Sequence, residues 1–381
     1  MKSKTWIVLF FILITIPLCI FAILIYHVDP YFHYHKPYTD KYYYTLDNER
    51  SQNDGILKHF EYEGVITGTS MCENFKSSEA EKLFGIKFIK ICYSGGTYKE
   101  INDTVEKAIN SNTNTKIVIR GLDTGKYIED KDAMRNDLGE YPTYLYDDNP
   151  FNDVKYLFNK GVLLRVSPMI NTHDVGKTSG ITSFDDYANW MKSYQFGVHS
   201  KLLYPNGINM SNDNPEQIDL TEDEKRMVEE NVEENLVKIA QNNPDIVFYY
   251  FITPYSAAWW KIQLDKGDYE KYIQAERVVI EKCLEVDNIK LFSINNRYDL
   301  TTDLNNYKDS HHYGEWINSL LLRYMRDGKY QITKDNYEEY LAQEEAFYKN
   351  FDYYTEFTNQ EDYEDDYYAA ELLRDEIYGG L

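Results

Sequence analysis

A long apolar stretch near the amino terminus is the clearest pattern in the chain. Residues 6–26 carry no charged side chain and are mostly Ile, Leu, Phe and Val. At the helical rise of about 1.5 Å per residue, this length crosses the roughly 30 Å hydrocarbon core of a bilayer. A cleaved signal peptide would have a shorter apolar region and a small-residue cleavage site. The pattern therefore predicts a transmembrane helix over 6–26 that contacts membrane lipid.

Two lysines predict the orientation of this helix. Lys2 and Lys4 precede the apolar stretch, and basic residues favour the cytoplasmic side of a membrane. We therefore expect residues 1–5 in the cytoplasm and the rest of the chain outside a cell membrane that the protein crosses once. Residues 27–60 are polar and rich in tyrosine, and we interpret them as a stalk leading to the globular part.

From residue 61 onward, short apolar runs alternate with helix-like stretches. Five runs rich in β-branched and aromatic residues are typical of strands: 64–68, 86–93, 116–121, 246–253 and 289–293. The clearest helix spans 221–241, because Thr221 and Glu224 form a capping box and Pro244 follows its end. Strands alternating with helices indicate βαβ units. We therefore predict an α/β domain over 61–330, with three α/β/α layers around a mainly parallel sheet.

Two segments depart from this alternation. Within the insertion at about 124–220, Asn149-Pro150 predicts a helix toward Lys160. An insertion of this length at the edge of a sheet is typical of a lid or a partner surface. The acidic, tyrosine-rich C-terminal extension, 331–381, carries 15 Asp and Glu against 3 Lys and Arg. We interpret it as a solvated helical tail.

The overall composition narrows the classes of partner. The chain has 63 Asp and Glu against 40 Lys and Arg, which argues against a nucleic-acid partner because little positive charge is left to neutralise phosphates. Its cysteines lack metal-ligand spacing, and Cys19 lies in the apolar stretch. We therefore expect no disulfide, with at most one possible. The 37 tyrosines suit sugar-binding surfaces and membrane interfaces, although compositional bias explains them equally well.

The first candidate for chemistry is Ser70, where a strand ends and a helical stretch begins. Its hydroxyl would lie at the edge of the sheet, near the unpaired N–H groups and the positive end of the following helix. This is a favourable place for a nucleophile. The alternative interpretation is a serine that caps the helix.

The second candidate is the Asp309-Ser310-His311-His312 segment, which precedes a helical run. Asp309 and His312 are spaced so that the carboxylate can hold one imidazole nitrogen while the other faces outward. A histidine held in this way is the base that activates a serine hydroxyl. Two alternatives remain open: a metal site that also uses His311, or a helix-capping aspartate with surface histidines.

Further candidates follow the second and third strands. Gly95 and Gly96 allow a tight turn that brings a backbone N–H close to a ligand oxygen; Asp123 follows the next strand, and Thr253 follows a later one. Ligands bind outside the carboxyl ends of parallel strands, so we expect these residues to share one rim with Ser70. Ser94 lies at the same rim and is a rival nucleophile.

Taken in order, these blocks resemble those of the SGNH (GDSL-like) hydrolase superfamily. The four blocks are Gly68-Thr69-Ser70, Ser94-Gly95-Gly96-Thr97, Gly121-Leu122-Asp123 and Asp309-Ser310-His311-His312. With the membrane anchor, they look most like the branch associated with cell-envelope acylation, which includes the D-alanyl transfer protein of teichoic-acid synthesis and the alginate O-acetylation proteins. The resemblance covers about residues 60–330 and implies an SGNH/flavodoxin-like fold.

The resemblance also implies roles for individual residues. Ser70 would be the nucleophile, His312 the base and Asp309 the residue that orients it. The N–H groups of Ser70 and Gly95 would bind the oxyanion, with Gly96 and Asp123 as further candidates. No metal or cofactor is implied. Thr69 replaces the usual Asp of the first block, and Asp123 stands where hydrolases carry an oxyanion-binding Asn.

Two hypotheses of function follow. The first is a membrane-anchored, extracytoplasmic serine esterase or O-acyltransferase that acts on acyl esters of envelope polysaccharide. The resemblance adds a membrane-bound O-acyltransferase as a possible partner that supplies the acyl group. The second is a catalytically inactive scaffold that binds glycan or such a partner. The carboxylate of Asp123 favours the second hypothesis, because it would repel an oxyanion.

Overall fold

The computed structural model describes residues 3–137, 141–170, 179–191, 194–198, 214–365 and 367–379. It divides into two compact units. Unit 1 comprises Met1–Glu61 and Asn136–Ser183, and unit 2 comprises Tyr62–Arg135 and Phe184–Leu381. The predicted insertion is thus divided between the two units.

The strands and helices are numbered in chain order. The strands are β1 (Tyr43–Tyr44), β2 (Gly64–Gly68), β3 (Phe88–Cys92), β4 (Ile117–Leu122), β5 (Gly180–Ile181), β6 (Val247–Ile252), β7 (Ile289–Ser293) and β8 (Gln331–Ile332). The helices are α1 (Ser3–Val28), α2 (Glu49–His59), α3 (Ser77–Phe84), α4 (Tyr98–Ser111), α5 (Val154–Leu157), α6 (Lys160–Ile170), α7 (Glu222–Val232), α8 (Lys238–Gln241), α9 (Ala257–Lys266), α10 (Tyr269–Leu284), α11 (Tyr298–Thr301), α12 (Glu315–Asp327), α13 (Tyr337–Asn350), α14 (Tyr353–Thr358), α15 (Tyr368–Leu372) and α16 (Arg374–Tyr378).

Unit 2 contains a six-stranded sheet in the order β3-β2-β4-β6-β7-β8. All neighbouring strands are parallel except β7 and β8, which are antiparallel. The predicted α/β class with a mainly parallel sheet is confirmed. Two predicted strands, 64–68 and 289–293, have the observed bounds, and the other three differ by one or two residues at each end. The sequence pattern did not predict β8.

The long helix predicted over 221–241 is one helical run with a local change of winding. The capping box of Thr221 and Glu224 is present at the start of α7. A π-helical turn, Glu233–Val237, then joins α7 to α8. Inserting such a turn shifts the side chains that follow around the helix axis.

Side chains along the central strands of unit 2 enter two separate hydrophobic clusters. Ile66 and Phe251 belong to one cluster, together with residues of α9 and α12. Val118 and Tyr250 belong to the other, together with residues of α7 and α10. Because successive residues of a strand face opposite sides of a sheet, the sheet has an apolar core on each face.

Unit 1 includes the segment that we interpreted as a stalk. Residues 27–60 contain α2, whose residues Gln52 to Leu57 are all buried, and β1, which pairs in parallel with β5. The stalk interpretation is therefore wrong, because this segment folds with the first part of the insertion. The helix predicted to begin at Pro150 is instead the short α5 followed by α6.

A buried turn follows α1 directly. Asp29 is fully buried, and its carboxylate accepts hydrogen bonds from the backbone N–H groups of His33 (3.0 Å), Tyr34 (2.7 Å) and His35 (3.0 Å). The hydroxyl of Tyr156 also donates to it, at 2.8 Å. The end of α1 is thereby fixed to the rest of unit 1.

The helix α1 has the properties predicted for the anchor. Over Lys4–Val28 it is long and apolar enough to cross a membrane, and its most apolar window is not buried within the protein. No other helix in the described parts of the chain meets the same criteria of length and hydropathy.

The C-terminal extension differs from the solvated tail that its charge suggested. In α13, Leu341, Glu344 and Tyr348 are buried. Further along, Phe357 and Ile377 belong to the same hydrophobic cluster as Ile66. The solvated-tail prediction is therefore wrong: the extension packs onto unit 2 through apolar residues spaced between its acids.

Candidate active site

Ser70 lies directly after the central strand β2. Gly68 has φ = 148°, and a Cβ there would collide with the Sγ of Cys72. A side chain is therefore excluded at the point where the chain leaves the sheet. The hydroxyl of Thr69 accepts the N–H of Met71 at 3.3 Å, capping the short 3₁₀ turn that Ser70 begins. Ser70 is thus at the rim predicted from its strand-to-helix position.

His312 and Asp309 lie on a tight loop before α12. The loop is closed by pairing of Tyr307 with Tyr313 and by a 3.0 Å hydrogen bond from the Lys308 N–H to the His312 carbonyl. The Asp309 carboxylate accepts the backbone N–H groups of His311 at 3.0 Å and of His312 at 2.8 Å. The carboxylate therefore organises the loop as well as contacting the imidazole.

The structure brings the three predicted catalytic residues into one line of hydrogen bonds. The Oγ of Ser70 is 2.8 Å from the Nε2 of His312, although 242 positions separate them in sequence. The Nδ1 of His312 is 2.7 Å from the Oδ2 of Asp309. Because the carboxylate accepts a hydrogen bond from the N–H at Nδ1, the imidazole carries its proton there. Nε2 is then free to accept the proton of the serine hydroxyl.

Electrostatics keep Asp309 charged. Burial alone would raise the pKa of Asp309. Hydrogen bonding to His312, together with the positive charges that His311 and His312 carry when protonated at acidic pH, outweighs burial and holds this pKa well below its usual range. Burial, with a smaller effect from His312, lowers the pKa of the adjacent His311 to about 4. At neutral pH the site therefore contains an ionised Asp309 beside a neutral His311.

Trp190, from the insertion, supports both reacting side chains. Its Nε1 donates to the backbone carbonyl of Ser70 at 3.1 Å, and its ring meets that of His312 edge-on, with centroids 5.5 Å apart. The ammonium of Lys308 lies 4.0 Å from the centroid of Trp190 and 3.7 Å from that of Tyr194. Sequence reasoning missed Trp190, since the insertion has no periodicity that would distinguish one aromatic residue from another.

A cleft of about 240 Å³ lies beside Ser70. Gly95 and Asp123 line it together with the aromatic side chains of Tyr255 and Trp259. Within the described residues, the N–H groups of Ser70 and Gly95 donate no hydrogen bond. Neither N–H is thus engaged by another described group, which the oxyanion-donor role requires.

Two other candidates at this rim do not fit their predicted roles. The N–H of Gly96, a further candidate for the oxyanion site, donates to the carbonyl of Tyr93 at 2.7 Å, whereas that of Gly95 donates to no described group. Ser94 is exposed, and its carbonyl accepts a hydrogen bond from the guanidinium of Arg135. It is Ser70 that faces His312.

Asp123 ties together the ends of three neighbouring strands. Its buried carboxylate accepts the hydroxyl of Thr69, and those of Thr253 and Tyr255 at 3.2 Å each. Burial raises the pKa of Asp123, although these hydroxyls partly oppose the effect. Both carboxylate oxygens are thus engaged, and the side chain positions the rim rather than offering a donor to an oxyanion.

The metal alternative involves the same loop. In the described parts of the chain, Asp309, His311 and His312 are the group whose potential ligand atoms lie within 4.8 Å of one another. However, the Nδ1 of His312 is already bonded to Asp309, whose other oxygen accepts backbone N–H groups. A metal ion would have to replace these bonds, so the donor set fits the serine–histidine arrangement better.

Comparison with known proteins identifies no relative. The chain matches no protein-family model, no curated protein and no solved structure.

Proposed function

We propose that the protein is a membrane-anchored serine esterase or O-acyltransferase that acts on acyl esters of cell-envelope polysaccharide. The observation that carries the proposal is the line of hydrogen bonds from Ser70 through His312 to Asp309. We extend the proposal to the fold: the sheet with an apolar core on each face is the centre of a three-layer, SGNH-like domain. The positive-inside tendency of Lys2 and Lys4 supports an extracytoplasmic location.

The geometry supports a two-step acyl transfer. The Oγ of Ser70 attacks the ester carbonyl while the Nε2 of His312 takes its proton, and the N–H groups of Ser70 and Gly95 stabilise the oxyanion. His312 then returns the proton to the leaving alcohol, and the acyl group stays on Ser70. Water or a sugar hydroxyl, activated by His312, releases the acyl group. Asp309 stabilises the imidazolium at each stage.

The cleft supports a small acyl group on a sugar. Its volume of about 240 Å³ is below the usual range for drug-sized ligands, and suits a short acyl chain. Tyr255 and Trp259 form an aromatic wall, and such rings pack well against the apolar faces of sugars. Transfer, as opposed to hydrolysis, would require the membrane-bound acyl donor that the motif resemblance implies.

The test is labelling with a fluorophosphonate probe, which reacts with activated serines. Full-length protein in detergent should be labelled, and Ser70→Ala should abolish the signal because no nucleophile then faces His312. Ser94→Ala is the matched control and should label like the wild type. Equal labelling of the Ser70→Ala variant and the wild type would remove Ser70 from the mechanism.

A second candidate function is a non-catalytic glycan-binding scaffold, which the carboxylate of Asp123 beside the cleft favours. Hydrolysis of p-nitrophenyl acetate, measured with glycan binding, separates the two. Slow turnover that depends on Ser70 supports the enzyme. Glycan binding without turnover supports the scaffold.

A further inference from the structure

Unit 1 exposes an unusual set of apolar side chains in one short segment. Within residues 151–170, four large apolar residues are 49–87% exposed: Phe151, Val154, Phe158 and Leu164. The same segment buries Val162, Val166 and Met169 on the opposite side of α6. Four large exposed apolar side chains within one short segment indicate a contact with a partner or a membrane, because water is a poor environment for them.

The segment packs beside the apolar helix α1. Both α5 and α6 contact α1. A groove of about 220 Å³ is lined from α1 by Leu18, Phe21 and Ile25, and from the segment chiefly by Leu157, Phe158 and Leu163. The apolar lining of this groove thus continues onto the exposed apolar surface of α1.

The position of the groove along α1 fixes its depth. From Trp6 to Tyr26, α1 extends about 30 Å, and Leu18 lies about 12 Å before Tyr26 along the axis. If the apolar stretch fills the hydrocarbon core, Leu18 lies close to the bilayer midplane. The groove also reaches Ile25, beside Tyr26, and Asn159 and Lys160 line it too. It then extends from near the midplane to the headgroup edge of the hydrocarbon, where the ammonium of Lys160 can leave the apolar region.

The charges of the segment fit the same position. Its exposed charged residues are Lys155 and Lys160, whereas Asp153 is buried and its carboxylate lies 3.1 Å from the Nε2 of His33. Arg165 pairs with Asp47. In a chain with a net charge of −23, the exposed charges inside this segment are thus both positive, whereas the exposed Asp147 and Asp148 precede it. Lysines can keep their ammonium groups among phosphates while their stems lie along apolar surface.

We infer that residues 151–170 form a second membrane contact, embedded in the bilayer leaflet at the carboxyl end of α1. Acyl chains of that leaflet fill the groove beside Leu18, and Lys155 and Lys160 reach the lipid phosphates. The inference rests on the proposal that α1 spans a bilayer. The protein is then held by one crossing helix and one interfacial segment.

The test measures depth with a fluorescent label on single cysteines of the full chain. Phe158→Cys, Leu164→Cys, Ile14→Cys and Thr113→Cys are made with Cys19→Ser, since the other three cysteines are buried. The variants are placed in nanodiscs of phosphatidylcholine and phosphatidylglycerol. Nitroxide on the lipid acyl chains should quench labels at 158 and 164 several-fold more than at the exposed Thr113, and iodide in the water should show the reverse order.

Each result decides between distinct occupants. Quenching by iodide at 158 and 164 equal to that at Thr113 would overturn the inference in favour of water. Protection from both quenchers would overturn it in favour of a covering protein. Lipid quenching at Ile14 without quenching at 158 and 164 would leave the anchor intact and remove the second contact. Loss of lipid quenching at all three positions would remove the anchor as well.

Discussion

In the proposed mechanism, the base function of His312 depends on Asp309. We expect Asp309→Asn to lower kcat for p-nitrophenyl acetate by about 10³–10⁴-fold, with little change in KM. The amide would donate to Nδ1, so the imidazole proton would move to Nε2, which could no longer accept from Ser70. The loop should persist, because the remaining amide oxygen still accepts backbone N–H groups.

The control for this change is Asp299→Asn, at an exposed carboxylate that pairs with Arg297. It should retain the wild-type kcat. A wild-type kcat in Asp309→Asn, with unchanged fluorophosphonate labelling, would mean that another group orients His312.

Asp123 gives a second prediction at the residue scale. We expect Asp123→Asn to raise kcat/KM for p-nitrophenyl acetate, by up to about 10²-fold, because an amide donor replaces an acceptor-only side chain beside the oxyanion site. We also expect a loss of about 1–3 kcal/mol in the free energy of unfolding. In the wild type the surrounding hydroxyls donate to the carboxylate, whereas in the variant the amide NH₂, itself a donor, would face one of these hydroxyls.

Steady-state kinetics and urea unfolding of the same variant separate these two effects. A loss of stability with no gain in rate would mean that Asp123 serves only to tie the strands together. Asp132→Asn, at an exposed position beyond the same strand, is the matched control and should change neither quantity.

Sequence patterns predicted those site residues that are recognisable within a single short segment of the chain. Asp309 and His312 are three positions apart and fall on one loop, and Ser70 follows a strong strand pattern. Trp190 and the engaged N–H of Gly96 depend on how distant segments fold over one another. No local periodicity encodes such contacts, so sequence reasoning could not find them.

At the scale of elements, α10 and α13 meet through a pair of buried carboxyl groups. Glu276 and Glu344 are fully buried. Tyr340 donates to one oxygen of Glu276 and Asn295 to one oxygen of Glu344, and the second oxygen of each carboxyl group has no hydrogen-bond partner among the described residues. Burial raises the pKa of both, and for Glu276 the neighbouring Glu344 adds to the effect. The folded protein therefore keeps this pair protonated to a higher pH than the unfolded chain does.

The sign of the pH dependence follows from this arrangement. Above the ordinary glutamate pKa of 4.5, the folded state binds more protons than the unfolded state, so stability falls as the pH rises through the folded-state pKa. Glu276→Gln removes one of the two titrating carboxyl groups and keeps the size of the side chain. We expect the variant to be more stable than the wild type at pH 8, by about 1–3 kcal/mol. This difference should shrink as the pH falls, because the wild-type pair then becomes protonated.

Urea unfolding between pH 5 and pH 8 measures this difference. Glu281→Gln, on the exposed face of the same helix, removes the same charge and should leave the pH dependence unchanged. An identical pH dependence in Glu276→Gln and the wild type would mean that the pair is not protonated in the folded state.

The same elements explain where the prediction of the fold succeeded and failed. The parallel strands were predicted because each is a compact apolar run buried on both sides. The C-terminal extension was assigned to solvent because its acids dominate the composition. Yet Leu341 and Tyr348 occupy one side of α13 at helical spacing, and this apolar face, rather than the net charge, determines whether the helix packs.

At the scale of the whole molecule, the net charge of −23 affects which polymers reach the cleft. An O-acetylated polyuronate is itself negative and will be repelled at low salt. Raising the ionic strength from 0.01 M to 0.15 M shortens the screening length from about 30 Å to about 8 Å. We expect kcat/KM on such a polymer to rise by about tenfold over this range, because the repulsion that slows encounter is removed.

Release of acetate from the polymer, measured against salt concentration, tests this expectation. Hydrolysis of the neutral p-nitrophenyl acetate is the control and should stay constant over the same range. A fall in kcat/KM on the polymer would mean that a local basic surface, rather than the net charge, guides the substrate.

The turn around Asp29 joins α1 firmly to the rest of unit 1. Three backbone N–H groups and one tyrosine hydroxyl hold this carboxylate where the helix ends. If α1 spans a bilayer as proposed, its tilt or roll is therefore transmitted to the rest of unit 1. One residue added to the helix would turn the rest of unit 1 by about 100° around the helix axis. The length of the proposed anchor therefore sets which side of unit 1 faces its neighbours in the membrane.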